Sequence, residues 1–128
     1  MKAITIIEPW ANLVADGRKK IETRPWGTAY RGPIAIHAGL KKLKEYPPEV
    51  VRHAPEVVSM DYYYGHIIAI GELVDSIKMT EEWIAALSES EYSFGWYEVG
   101  RTGLMLANVH RIDPVPAKGK LGLWEWCR

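Results

Sequence analysis

The chain has one cysteine, Cys127, next to its C-terminus. A lone thiol cannot crosslink its own chain and leaves no second thiolate for a zinc site, so neither disulfides nor a cysteine-built metal centre shapes this fold. A reducing, cytoplasmic setting is the expectation. Long apolar runs are also missing. The opening run Ala3 to Ile7 stops at Glu8 and Pro9, short of a secretory core, and every other run breaks before the ~20 residues a bilayer span requires. No membrane association is expected. The four histidines are scattered, none within three to five residues of another, so no zinc-type pair is signalled. A Gly-x-Ser-x-Gly elbow, a phosphate-binding loop and a dinucleotide glycine fingerprint are all absent, which argues against ATP and NAD. No cofactor and no metal are expected.

Net charge is missing too, with 16 basic and 16 acidic side chains. Its distribution is uneven, however. Residues 1–44 hold nine bases against three acids, residues 45–100 two against eleven, and residues 101–128 five against two. Exposed charges are screened beyond about 8–10 Å at ordinary salt, so a local basic face can hold a phosphate despite a distant acidic one. The alternative is that the blocks mix once the chain folds.

What is present suits one domain spanning residues 1–128: 48% of the residues are hydrophobic, and there is no repeat, low-complexity tract or linker. Ala3 to Ile7 reads as a short buried strand ended by Pro9. A helix follows, with Trp10, Leu13 and Val14 on one face and Gly17 as C-cap. Arg18 to Arg24 carries no helical stripe and reads as a strand. Its period of two places Lys20, Glu22 and Arg24 on one face and Lys19, Ile21 and Thr23 on the other. Further strands are expected at Ile34 to Ala38, His66 to Ser76 with a bulge at Gly71, Gly103 to Ile112, and Leu121 to Trp126. Pro114 to Gly119 reads as a loop between the last two. Short helices are expected at Pro48 to His53 and at Thr80 to Leu87, with Thr80 as N-cap. Strands without regular βαβ alternation give an α+β class, mostly β: a small barrel-like sheet with short helices inserted.

The densest chemistry lies in Gly17-Arg18-Lys19-Lys20-Ile21-Glu22-Thr23-Arg24-Pro25-Trp26. If Glu22 and Arg24 share a face within a cleft, a guanidinium fork stands beside a carboxylate acceptor, complementary to the edge of a base or amide. Trp10 or Trp26 could stack on such a base, an interaction worth roughly 1–3 kcal/mol. The plainer alternative is a surface ion-pair ladder worth about 0–1 kcal/mol. His37, at a strand end, is a candidate for a phosphate or base; backbone satisfaction is the alternative. Trp124 and Trp126 alternate on a terminal strand and should share one side, the core.

The segments Glu8-Pro9-Trp10-Ala11, Gly17-x-Lys19-x-x-Glu22-x-Arg24, Trp26, Tyr30-Arg31-Gly32 and Ile34-Ala35-Ile36-His37-Ala38 resemble the ASCH family (activating signal cointegrator homology) of the PUA-like superfamily. So do Phe94-Gly95 through Gly100-Arg101, Leu106 to Val109, and Pro114-Val115-Pro116-x-Lys118-Gly119-x-x-Gly122-Leu123-Trp124-x-Trp126. The likeness runs from about residue 3 to residue 126 and is to the small bacterial and phage single-domain members. It implies a small β-barrel with a cleft beside the first helix, and a role in binding RNA, single-stranded nucleic acid or a nucleoside. On that reading Trp10, Lys19, Glu22, Arg24, Trp26, Arg31 and His37 line or edge the site, and Lys41 to Lys44 guide phosphates. Some relatives are small amidohydrolases acting on N4-acetylcytidine through a lysine, a threonine and a distant glutamate. Carried onto this chain, Lys19 takes the lysine position, Glu22 falls where the threonine stands, and Glu72 is the candidate for the distant carboxylate. The hydroxyl nucleophile is therefore missing from its position, and Thr23 should face the opposite way. After Gly100-Arg101 the chain reads Thr102-Gly103-Leu104-Met105 in place of the family's aromatic stretch. A third reading is a protein-interaction module.

Overall fold

A computed structural model describes residues 1–127. Its strands are β1 (Lys2–Ile6), β2 (Ile21–Arg24), β3 (Gly32–Ala38), β4 (His66–Lys78), β5 (Thr102–Pro116) and β6 (Leu123–Glu125). Its α-helices are α1 (Trp10–Ala15), α2 (Pro48–His53), α3 (Glu81–Ala85) and α4 (Glu89–Ser93), with a 3-10 turn at Pro55–Ser59. Strand at 37% outweighs helix at 21%, giving the expected α+β class with β predominant.

The strands form one sheet in the order β2-β5-β4-β3-β1-β6, in which β1 and β3 run parallel and all other neighbours antiparallel. Along β4 and β5 the register shifts three times, including across Gly71. Each shift sets an extra residue against the partner strand and bends it, and the sheet curls into a half-barrel. A side chain at Gly71 would meet the Val109 side chain at 2.6 Å, so close approach of β5 requires glycine there.

Period-two alternation divides the core. Ile4, Ile6, Ile34 and Ile36 pack with Ile68, Leu104 and the α1 residue Val14, while Ala3, Ala35 and Ile67 face Trp124 and Trp126 on the other side. The α1 helix ends at Gly17, whose φ of +76° few other residues adopt. The backbone N–H groups of Arg18 and Lys19 both donate to Leu13 O, at 2.9 and 3.0 Å. Lys19 is thus folded under the helix before β2 begins. The alternation expected from Arg18 onward starts only at Ile21.

One further expectation needs adjustment, and two elements were not expected. Pro114 and Pro116 belong to β5 rather than to a loop, because β2 covers only Met105 to Thr102 on that flank and leaves the far end of β5 an edge where proline is tolerated. The α4 helix and the 3-10 turn carry no apolar stripe long enough to announce them.

Candidate functional site

The sheet does not close. β6 pairs with Lys2 to Ile4 and stops short of Thr5, whose carbonyl instead accepts a hydrogen bond from Arg24 Nη2 of the edge strand β2 at 2.8 Å. That side-chain bridge spans the seam of the half-barrel. Beside it lies a cleft of about 370 Å³. One wall is β1 from Thr5 to Ile7 with Trp10 of α1; the other is Glu22 to Arg24, and Trp96 and Arg101 complete the rim.

Glu22 lies between two cations. Its Oε2 accepts from Arg24 Nε at 3.2 Å and Nη2 at 2.8 Å, and its Oε1 is 3.7 Å from Lys19 Nζ. These contacts engage Nε and Nη2 of Arg24, and Nη1 takes part in none of them. The Arg24 guanidinium also lies 5.9 Å from the Trp26 ring centre. Lys19 is 1% exposed, and its ammonium donates to Ile21 O. Burial pulls the Lys19 pKa below its ordinary value, with Glu22 and Glu91 opposing.

Trp96 is 64% exposed, held from both sides. Its backbone N–H donates to Thr23 Oγ1 at 3.2 Å, and Arg101 donates through Nε to its carbonyl at 3.1 Å. The Arg101 guanidinium covers the indole at 4.1 Å from the ring centre. The Trp96 segment is therefore fixed to β2, the strand that carries Glu22 and Arg24.

The cleft gathers Trp10, Glu22 and Arg24 as the sequence suggests. Lys19 stands behind Glu22 and borders a separate hollow with Val14, Gly17 and Asn108. Trp26 packs against the core rather than in the cleft wall. Thr23, expected on the opposite face, also borders the cleft, because β2 is an edge strand and the Trp96 loop folds against it. Arg31 is exposed and bonded to Thr28 O and Tyr30 O, each at 2.8 Å, with Asp75 at 3.4 Å. His37 is 1% exposed and satisfied inside the protein: Nε2 is 2.7 Å from Ala117 O and Nδ1 3.1 Å from Thr5 Oγ1. Burial lowers its pKa. Glu72 is exposed on β4, paired in register with Pro33 and Ala107, and borders none of these hollows.

Sequence reasoning missed Trp96 and Arg101. The available signal was an indole just after Gly95, followed five residues later by an arginine just after Gly100. It also missed Glu8, which is 1% exposed and accepts from Asn12 N at 2.8 Å and from Asn12 Nδ2. Burial pushes the Glu8 pKa up to about 7, outweighing those hydrogen bonds. Among the described residues no group of acidic, histidine or cysteine side chains could hold a metal ion.

The curled, open sheet with short helices is the small half-barrel expected of a PUA-like domain. The family model of the ASCH domain matches residues 4–116, and the chain belongs to the ASCH domain family, a nucleic-acid-binding type of domain. No curated protein matches its sequence.

Proposed function

We propose that the seam cleft binds one base of an RNA, of another single-stranded nucleic acid or of a nucleoside. The observation that carries this reading is the exposed Trp96 indole, braced by Arg101 and Thr23 beside the Glu22–Arg24 pair. The indole offers a π-face, the Glu22 carboxylate accepts from an amine or imino N–H, and Arg24 Nη1 donates to a carbonyl or ring nitrogen. Every Watson–Crick edge sets a donor beside an acceptor, so this pair recognises base edges as a class. A volume of about 370 Å³ is near the low end of small-ligand sites, enough for one base and its sugar. Titrating the four nucleosides and a mixed-sequence RNA into wild type and Trp96→Ala, read by calorimetry, tests the reading. Binding weakened by the substitution supports it; no binding to either ligand defeats it.

The Lys19–Glu22 contact at 3.7 Å favours a second reading, a small amidohydrolase acting on an N4-acylated cytidine-type nucleoside. Water would attack in place of the missing threonine, with Lys19 and Glu22 handling charge. It ranks second because the ammonium is engaged by Ile21 O behind the carboxylate. Failure to deacetylate N4-acetylcytidine above an uncatalysed blank retires it.

A further inference from the structure

Thr5 borders two hollows. Its carbonyl faces Arg24 in the base cleft, and its hydroxyl accepts from Trp124 Nε1 at 3.1 Å and contacts His37 in a second hollow of about 350 Å³. That second hollow is walled by the turn after β3 at Gly39 and Leu40 and by the segment Lys118 to Leu121 between β5 and β6.

Its rim is unusual for a surface that serves only to meet water. Leu121 is 97% exposed and Leu40 75%, the two most exposed large apolar side chains of the described residues. Lys118 and Lys120 precede Leu121, and Lys41 and Lys42 follow Leu40. Among the described residues none of these lysines has a carboxylate within ion-pair distance, and Lys42 lies 4.9 Å over the Tyr64 ring. The 118–121 segment is also held in place. His37 grips Ala117 O, and Gly119 sits so close that a side chain there would meet His37 at 2.7 Å and Thr5 Oγ1 at 2.8 Å. The other side of the base cleft has the reverse charge: past Trp96, the adjoining hollow is bordered by Glu49 and Glu89. A polyanion is repelled from that side and drawn to the lysine side.

We infer that the site takes a single-stranded polynucleotide. One base occupies the Trp96–Glu22–Arg24 cleft, the strand passes Thr5, and the neighbouring nucleotide rests on Leu40 and Leu121 with its phosphates on Lys118 and Lys120. This rests on the base-binding reading of the first cleft and adds to it a second subsite and the path of the chain. His37 is then a positioning residue, holding the lysine-bearing segment without touching the ligand.

The test is the salt dependence of binding to a ten-nucleotide mixed-sequence RNA, with the DNA of the same sequence and polyglutamate as further probes. Wild type, the double variant Lys118→Gln/Lys120→Gln, Trp96→Ala and the control Lys78→Gln, an exposed lysine that lines neither hollow, are compared. Losing two phosphate contacts should weaken binding by the double variant at low salt and make its log K against log salt line shallower by about 1.4. Trp96→Ala should weaken binding with the slope unchanged, and Lys78→Gln should match wild type. A double variant with wild-type affinity and slope overturns the path while leaving the first cleft standing. A normal response to the lysine changes with none to Trp96→Ala sinks the base cleft instead. Polyglutamate bound as tightly as RNA overturns the nucleic-acid assignment in favour of an acidic protein partner. RNA and DNA bound alike keep the path and leave sugar unread; RNA alone bound keeps it and adds recognition of the 2′-hydroxyl.

Discussion

The ammonium of Lys19 stands behind the carboxylate of Glu22, 3.7 Å from Oε1, while Arg24 approaches Oε2 from the cleft side. One carboxylate is thereby neutralised by an inner cation that supports it and an outer cation that can meet a ligand. The two positions differ in burial, and their substitutions should differ in kind.

Lys19→Ala removes a buried stem and its charge together and is expected to cost about 3–5 kcal/mol of stability. Lys19→Met keeps the stem, and with Arg24 still on Glu22 it should cost clearly less and retain RNA binding. Denaturant unfolding of both variants, with a binding isotherm for the methionine form, checks this. A methionine variant that folds stably but no longer binds would place the ammonium in the ligand contact.

Trp96→Ala should leave stability within about 1 kcal/mol of wild type, since the indole is mostly exposed, yet lower affinity at least about fivefold, the scale of one lost base stack. Thermal unfolding alongside calorimetry separates the two effects. Equal affinity for both proteins would remove Trp96 from the site.

Glu8 gives the fold a pH dependence. Its folded-state pKa of about 7 lies above the ordinary 4.5, so between those values the native state holds a proton that the unfolded chain has released. Stability from this group is therefore full below pH 4.5 and lost as pH rises through 7, by roughly 3 kcal/mol. His37 acts with the opposite sign, because burial lowers its pKa and its contribution is lost as pH falls below 6.5. Comparing wild type with Glu8→Gln from pH 4.5 to 8 cancels the histidine. The difference should shift in favour of the glutamine variant as pH rises, whatever the variant's starting stability. A constant difference would mean Glu8 ionises normally.

Gly119→Ala should displace the 118–121 segment, because the new methyl would meet His37 at 2.7 Å and Thr5 at 2.8 Å. Overpacking of this kind costs about 1–3 kcal/mol. Amide exchange at Ala117 and Lys118 should accelerate in the variant. Unchanged exchange would show that the segment has room to yield.

Most of the architecture was legible because local signals agreed with the final packing. Pro48–His53 forms the expected helix, the Thr80 side chain caps Trp83 N, the register shifts across Gly71, and Trp124 and Trp126 both lie inward. The site was only half legible. Glu22, Arg24 and Trp10 follow from alternation and from the first helix, whereas Lys19 leaves that alternation because the turn after Gly17 ties it to Leu13 O. Trp96 and Arg101 reach the cleft through a loop held by Thr23, a contact across 73 residues that no local period encodes. Glu8 sits beside a proline and looks like a surface acid; only the packing of α1 over it makes it a buried one.

The most direct measurement follows the tryptophan indole N–H resonances while RNA is added to the 15N-labelled protein. Trp10 and Trp96 border the proposed base site, whereas Trp124 is buried with its indole N–H bonded to Thr5. Saturable shifts of the Trp10 and Trp96 signals are the expected result. Saturable binding that leaves Trp10 and Trp96 unperturbed would contradict a base held in the seam of the half-barrel.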